Sequence, residues 1–282
     1  MTDRSMEGRV CVVTGATAGI GQATAAGLAE RGATVFLVAR SRDKARTVAE
    51  EIVRATGNDR VRTVIADLAV QAQVRAVADE IAGLFPAIHV LVNNAGIYTR
   101  RRELTADGIE MQLAVNHLAP FLLTHLLMDR LRAGAPARVV NVSSEAHRQG
   151  RIRWDDIGLE ARYGGLRAYA GTKLMNILFT RELARRVDAS AVTANALHPG
   201  VVATTLLFKG FWPIGWFKRF LRTPTQGAST SLYLATSPAV AGVTGGYFKD
   251  EKQIQPSAAA RDDEAARRLW ALSERLTGIT AV

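Results

Sequence analysis

The first third of the chain alternates between continuous apolar runs and longer segments of helical periodicity. The runs are rich in β-branched residues and predict strands at Val10–Thr14, Thr34–Ala39, Val61–Ala66 and Ile88–Asn93. The segments between them predict helices at Gly19–Arg31, Arg42–Ala55 and Gln71–Leu84. Strands without a polar face are typical of parallel sheets that are covered on both sides. The pattern therefore predicts right-handed strand–helix–strand crossovers.

The alternation continues in the rest of the chain. It predicts helices at Gly108–Leu131, Ala168–Val187 and Thr225–Leu234, and strands at Arg138–Val142, Val192–Leu197 and Tyr247–Phe248. No linker or repeat divides residues 1–282. We predict an α/β fold: one Rossmann-type, doubly wound domain with a parallel sheet of about seven strands and helices on both faces. The tail 257–282, charged and rich in Ala and Arg, is predicted to be helical and peripheral.

A glycine-rich loop joins the first strand to the first helix. Its glycines are spaced Gly-x-x-x-Gly-x-Gly, and in this position they allow a tight turn and close approach of a pyrophosphate to the helix N-terminus. The loop therefore predicts a dinucleotide site. Its predicted cofactor-binding residues are Gly15, Thr17, Gly19, Ile20 and Gly21.

The ends of the second and third strands suggest which dinucleotide is bound. An NAD site typically has an acidic residue after the second strand, whereas this chain has Ala39 and Arg40. A guanidinium can pair with a 2′-phosphate, so Arg40 favours NADP(H). After the third strand, Asp67 and Leu68 are predicted to contact the adenine; capping of the next helix is an equal role for Asp67.

The fourth strand ends in Asn93, Asn94, Ala95 and Gly96. Small residues here permit close passage of the cofactor, and buried asparagine side chains can tie neighbouring strands together. We predict that residues 94–96 bind cofactor, although a purely structural role for Asn94 is equally consistent with the sequence.

A tyrosine and a lysine four residues apart, Tyr169 and Lys173, share one face of a predicted helix. A free tyrosine has a pKa of about 10, and a nearby ammonium, together with the positive ring of an oxidised nicotinamide, favours the phenolate. This pair predicts a phenol that exchanges a proton with a substrate oxygen. Ser143 and Ser144 follow the fifth strand at the same sheet edge, where a hydroxyl can stabilise charge on that oxygen. Asn116 is predicted to bind a water that connects Lys173 to solvent, with helix packing as the alternative.

These residues together resemble the short-chain dehydrogenase/reductase superfamily over essentially the whole chain. The matching positions are Gly15, Gly19, Gly21, Asn93–Gly96, Asn116, Ser144, Tyr169 and Lys173. The resemblance implies that Ser144, the second serine of its pair, is catalytic. It also implies that Pro199, Gly200 and Thr204 cup the nicotinamide, and that the protein forms a homodimer or homotetramer.

The interval from Ser144 to Tyr169 is about twice that of many members of this superfamily. The insert Glu145–Ala168, with the run from Lys173 to Thr180, resembles the retinol dehydrogenase and WW-domain oxidoreductase branch. That resemblance implies NADP(H) and hydride transfer between nicotinamide and a carbonyl or alcohol carbon. His147, within the insert, is predicted to line the substrate mouth.

The densest aromatic segment, 206–220, follows the sixth strand. We predict a substrate lid around 204–222 and an apolar, bulky aldehyde, ketone or alcohol as substrate. The same segment could instead contact a membrane surface or a partner subunit. Two other functions stay open: an NADP-sensing regulatory protein without turnover, and a protochlorophyllide reductase-like enzyme, against which the lack of a substrate-side cysteine argues.

Composition narrows the remaining choices. The formal charge is +10, but the arginines are scattered without a recognition motif, so no nucleic-acid partner is predicted. The single cysteine, Cys11, lies in an apolar run, and the histidines lack metal-ligand spacing, so no metal site is predicted. No signal peptide or membrane-spanning run is recognisable, and we predict a cytoplasmic protein.

Overall fold

The structure, a computed structural model, describes residues 4–202 and 222–279. Its strands are β1 (Val10–Thr14), β2 (Thr34–Ala39), β3 (Val61–Ile65), β4 (Val90–Asn93), β5 (Ala137–Val142), β6 (Val192–Leu197), β7 (Tyr247–Lys249) and β8 (Lys252–Gln253). Its helices are α1 (Gly19–Glu30), α2 (Arg42–Thr56), α3 (Gln71–Leu84), α4 (Met111–Leu113), α5 (Ala119–Leu126), α6 (Met128–Ala133), α7 (Gly165–Arg186), α8 (Pro224–Thr236) and α9 (Asp263–Thr277).

The strands form one sheet in the order β3-β2-β1-β4-β5-β6-β7-β8. All seven predicted strands are present and parallel, and each begins and ends within two residues of its predicted bounds. The two-residue β8 adds an antiparallel edge that was not predicted. Because β1 lies between β2 and β4, the chain reverses direction across the sheet there, and this opens a crevice at the carboxyl edge.

Helices cover both faces of this sheet. Successive β1 residues point to opposite sides: Val12 packs with α3, α5, α7 and α9, whereas Val13 packs with α1, α2 and α8. Both cores are apolar and almost fully buried, as expected for a parallel sheet between helical layers. Among the described residues, no helix combines the length and the apolar character needed to cross a bilayer.

The predicted helix Gly108–Leu131 is wrong as one continuous element. Gly108 has a left-handed φ of +73°, and the Glu110 carboxylate caps α4, so the helix starts three residues later than predicted. A π-helical turn, Ala114–Leu118, separates α4 from α5. Pro120 accounts for this turn, because it has no N–H to donate to the carbonyl four residues earlier.

The C-terminal tail is helical as predicted but not peripheral. Trp270 of α9 is only 2% exposed and packs edge-on against Phe121, with ring centroids 5.2 Å apart, and face-on against Phe179. His117 Nε2 lies 2.8 Å from Ser273 Oγ. The hydrophobic face of α9 therefore completes the core beside α5 and α7, which a charge-rich composition does not reveal.

Candidate active site

The glycine loop forms a backbone cradle at the start of α1. A Cβ on Gly21 would lie 2.3 Å from the Gly15 carbonyl oxygen, so only glycine fits there. Gly15 has a φ of +65°, in the left-handed region. Ala18, the residue that precedes α1, supplies no side-chain cap, and the first turn contains no acidic residue. The amides of this turn therefore suit an anionic group such as a pyrophosphate.

Asparagine side chains hold the cradle against the sheet. Asn94 Nδ2 donates to the Thr14 carbonyl at 2.8 Å and to the Gly15 carbonyl at 3.3 Å. Asn93 Nδ2 donates to Asn141 Oδ1 at 2.8 Å, which links β4 to β5. The predicted tie between strands is present. Asn94 has the structural role left open by the sequence, and it also lines the cavity described below.

Arg40 and Asp67 lie at the far end of the crevice. Arg40 is exposed, and its guanidinium has no hydrogen-bond partner in the described part of the chain. The capping role suggested for Asp67 is wrong: its carboxylate accepts from the Ala69 amide at 3.0 Å, whereas the residue that precedes α3, Val70, supplies no side-chain cap. The amide of Gln71 is instead bonded to Asp107, which is remote in sequence.

Tyr169 and Ser144 meet at the carboxyl edge of β5. Both side chains line the same cavity and are close enough for the serine hydroxyl to favour the tyrosine's phenolate, and Ser144 Oγ also accepts from the Ala146 amide at 3.2 Å. Ser143 is used differently, because its hydroxyl donates to the Lys173 carbonyl at 2.7 Å inside the core. The geometry agrees with the choice of Ser144 as the serine that faces the reacting groups.

Lys173 lies beneath the tyrosine ring, with Nζ 5.6 Å from the ring centroid. Nζ donates to the Val142 carbonyl at 3.0 Å, and a Cβ on Gly96 would come within 3.3 Å of it. Gly96 therefore leaves room for the ammonium to reach the cavity, and the predicted sharing of one helix face by the tyrosine and the lysine is present.

Burial dominates the acidity of both groups. It raises the pKa of Tyr169 to about 12, against a smaller lowering by the Ser144 hydrogen bond. It lowers the pKa of Lys173 to about 8. In the protein alone the pKa of Tyr169 is therefore raised, because the phenolate loses more by leaving water than its polar neighbours restore. The lowering of this pKa by Lys173 together with an oxidised nicotinamide stays a prediction.

Asn116 occupies the π-helical turn and is fully buried. Its Oδ1 accepts from the Ile97 amide at 2.7 Å, and its Nδ2 donates to the Ile97 carbonyl and to Thr172 Oγ1. Asn116 thus ties the loop after β4 to α7, the packing role left open by the sequence. Its part in a proton relay stays a prediction.

The insert between Ser144 and Tyr169 forms part of the cavity wall. A polar network around the Tyr163 hydroxyl holds the insert in place. Tyr163 Oη lies 2.7 Å from Thr99 Oγ1, 2.8 Å from Gln112 Nε2 and 3.0 Å from Glu110 Oε1. Gln112 also donates to the Gly165 carbonyl at the start of α7. Sequence reasoning missed this network, whose only signal was polar residues next to apolar helical positions.

One cavity of about 1030 Å³ contains most of the predicted site. The predicted residues that line it are Gly15, Thr17, Gly19, Ile20, Gly21, Arg40, Asp67, Leu68, Asn94, Ala95, Gly96, Ser144, Tyr169, Lys173, Pro199 and Gly200. Asn116 lies behind this surface. Thr204 and the predicted lid, apart from Arg222, lie outside the described residues. Lining residues that were not predicted include Tyr98, Met111, Val115, Gln149, Leu166 and His198.

Known proteins share both the fold and the site region. The short chain dehydrogenase family model matches residues 9–210. The chain belongs to the short-chain dehydrogenase family. It is 45% identical to human retinol dehydrogenase 11 over 97% of this chain and 87% of that protein. As in other family members, its activity is that of an oxidoreductase acting on alcohol or carbonyl groups, and the retinol dehydrogenase-like branch is confirmed.

Solved structures of this short-chain dehydrogenase family agree. An uncharacterised protein from Mycobacterium paratuberculosis has a TM-score of 0.79 and 35% identity, covering 97% of this chain and 94% of that chain. The Pseudomonas aeruginosa protein RhlG, solved as an NADP active-site complex, has a TM-score of 0.72 and 26% identity, covering 88% of this chain and 97% of RhlG. The Rossmann-type fold is therefore confirmed.

Proposed function

We propose that this dehydrogenase uses NADP(H) to interconvert apolar, bulky aldehydes or ketones and their alcohols. The observation that carries the proposal is the meeting of Ser144 and Tyr169 beside Lys173, in the same cavity as the glycine cradle. The substrate class is supported by the apolar side chains of Ile97, Met111 and other residues on the cavity wall. The similarity to a protein named for retinol supports it further.

The choice of NADP(H) rests on the end of β2. Ala39 provides no carboxylate for ribose hydroxyls, and the exposed Arg40 beside the cavity suits a 2′-phosphate. The uncapped first turn of α1 suits the pyrophosphate. The RhlG–NADP complex shows that a family member with this fold takes this dinucleotide. When bound, NADPH would supply the hydride.

The protein's own groups supply the proton. In reduction, Tyr169 donates its phenolic proton to the substrate oxygen while the Ser144 hydroxyl donates a hydrogen bond to it. A pKa of about 12 keeps the phenol protonated at neutral pH, the form that this step requires. With a pKa of about 8, Lys173 is mostly an ammonium at pH 7 and stabilises the phenolate left behind. In the oxidation direction the same groups act in reverse.

The test is a comparison of NADPH and NADH oxidation with retinaldehyde and straight-chain aldehydes of increasing length. We expect NADPH to be preferred and kcat/KM to rise with chain length. Arg40→Asp should reduce the NADPH:NADH preference about 100-fold, because a charge-assisted pair is replaced by repulsion. Equal use of both cofactors by the wild-type protein would contradict the choice of NADP(H).

The same assay separates this proposal from an NADP sensor. A sensor would bind NADPH without turnover on any of these carbonyl compounds. Cytoplasmic location, assembly as a homodimer or homotetramer, and contact of segment 204–222 with a membrane surface stay predictions.

A further inference from the structure

A buried histidine holds the backbone of the reacting serine. His147 was predicted to line the substrate mouth, but it is fully buried in the 3₁₀ turn Glu145–Gln149 after β5. Its Nδ1 lies 2.7 Å from the Ser144 carbonyl oxygen, and its own amide donates to that carbonyl at 3.1 Å. The side chain and the backbone of one residue therefore engage the same carbonyl.

The other ring nitrogen identifies the tautomer. His147 Nε2 accepts from the Ser257 amide at 3.2 Å, and an amide N–H can only donate. Nε2 must therefore carry the lone pair, and the single ring proton of the neutral imidazole is on Nδ1. Burial lowers the pKa of His147, which is consistent with the neutral form. The Tyr247 hydroxyl lies 3.3 Å from Nδ1, with the two rings edge-to-face.

We infer that His147 is a positioning residue for the reaction, and that the Ser257 amide sets its tautomer. The Nδ1 proton holds the Ser144 carbonyl, which keeps this residue in its extended conformation and directs Oγ towards the Tyr169 hydroxyl. The segment after β8 is thereby coupled to His147, 110 positions earlier in the sequence, and through it to the catalytic serine. The inference rests on the proposed hydride-transfer function.

Two substitutions of the histidine separate positioning from packing. Asn places an amide at the position of Nδ1 and can still donate to Ser144, whereas Leu keeps the bulk and loses the donor. We expect His147→Leu to lower kcat for retinaldehyde reduction about 30-fold and His147→Asn about threefold, because small displacements of reacting groups are costly. The KM for NADPH should change less than about twofold in both. Equal losses in the two variants would overturn the inference.

Ser257 provides a matched pair. Its φ of −60° is compatible with proline, so Ser257→Pro removes the amide donor and places the proline Cδ against His147 Nε2 in its stead. Ser257→Ala keeps the donor, and both lose the hydroxyl that caps the following turn. We expect Ser257→Pro to lower kcat about tenfold and Ser257→Ala less than about twofold. Equal kcat values for Ser257→Pro and Ser257→Ala would contradict the role of the amide.

Imidazole ¹⁵N shifts test the tautomer without turnover. In wild-type protein at pH 7.5 we expect His147 to carry its ring proton on Nδ1 and none on Nε2. The Nδ1 proton should be hydrogen bonded to the Ser144 carbonyl oxygen. A protonated Nε2 would overturn the inference even in an active enzyme. If the wild-type protein reduces none of the aldehydes, the proposed function fails, while the tautomer is still decided by these shifts.

Discussion

The two halves of the cavity are built from different materials. The cofactor half consists of backbone from residues 15–21 and 94–96, held by Thr14 and Asn94, with no room for a side chain at Gly21. The substrate half consists of side chains from the loop after β4, from the start of α4 and from the insert before α7. The Tyr163 hydroxyl joins these three segments. A backbone cradle suits a ligand common to a family, whereas a side-chain wall can change with the substrate. Substitutions in the two halves should therefore have separable effects.

The reacting pair, where the halves meet, should show the largest effect. Tyr169→Phe removes the proton donor and should lower kcat about 1000-fold, within the range for general acid catalysis. NADPH affinity, measured by fluorescence titration, should be retained. Tyr233→Phe is the control, because Tyr233 packs against Phe248 away from the cavity and should leave kcat unchanged. A fully active Tyr169→Phe would disprove the assigned chemistry.

Lys173 lies on the boundary between the halves, and its burial should be visible in stability. Its pKa is lowered from 10.5 to about 8, so between these pH values the unfolded chain binds more protons than the folded one. The free energy of unfolding should therefore rise with pH across this window, relative to Lys173→Met, by up to about 3 kcal/mol. Urea titrations of both proteins from pH 7.5 to 10.5 measure it. A difference that falls with rising pH would contradict the assigned shift.

In the cofactor half, Gly21→Ala should weaken NADPH binding about 100-fold, because the new methyl group meets the Gly15 carbonyl and forces the cradle open. Gly83→Ala is the matched control: this helical glycine has open space around its Cβ position and should gain about 0.5–1 kcal/mol of stability. Isothermal titration and thermal unfolding measure the two quantities. Unchanged NADPH affinity in Gly21→Ala would show that the cradle is not where the cofactor binds.

In the substrate half, Tyr163→Phe should have the smallest effect and leave the cofactor half untouched. Loss of its hydroxyl removes a partner from Gln112 and Glu110, both buried, at a cost of about 1–2 kcal/mol in stability. We expect the KM for retinaldehyde to rise about threefold to tenfold, since a loosened wall positions substrate less well. The KM for NADPH should be unchanged; an equal rise in both constants would contradict the division into halves.

The features that could be predicted from the sequence are those that depend on residues close together in the chain. Apolar runs predict the strands because both faces of each are buried, and the glycine loop is recognisable because a tight turn needs adjacent residues. The interrupted helix after β4 was missed, since the mostly apolar run Leu113–Leu127 concealed the later start set by Gly108 and the break near Pro120.

Long-range contacts account for the other errors. His147 is buried by Ser257 and Tyr247, which lie about 100 residues further along the chain, so its neighbours in sequence do not reveal its position. The prediction for Tyr169 considered nearby positive charges and left out burial by many residues, which raises its pKa in the protein alone. The charged composition of the tail concealed the apolar face that carries Trp270.

That face has a consequence for how the molecule is made. Phe121 and Phe179 are covered by Trp270, so a nascent chain that ends before residue 263 exposes these aromatic side chains to the cell. The strands from β1 to β6 can already be paired at that stage. The face that α9 covers would still expose apolar surface and would tend to associate with other chains. Synthesis and packing of α9 are therefore the steps that remove this apolar surface from contact with other chains.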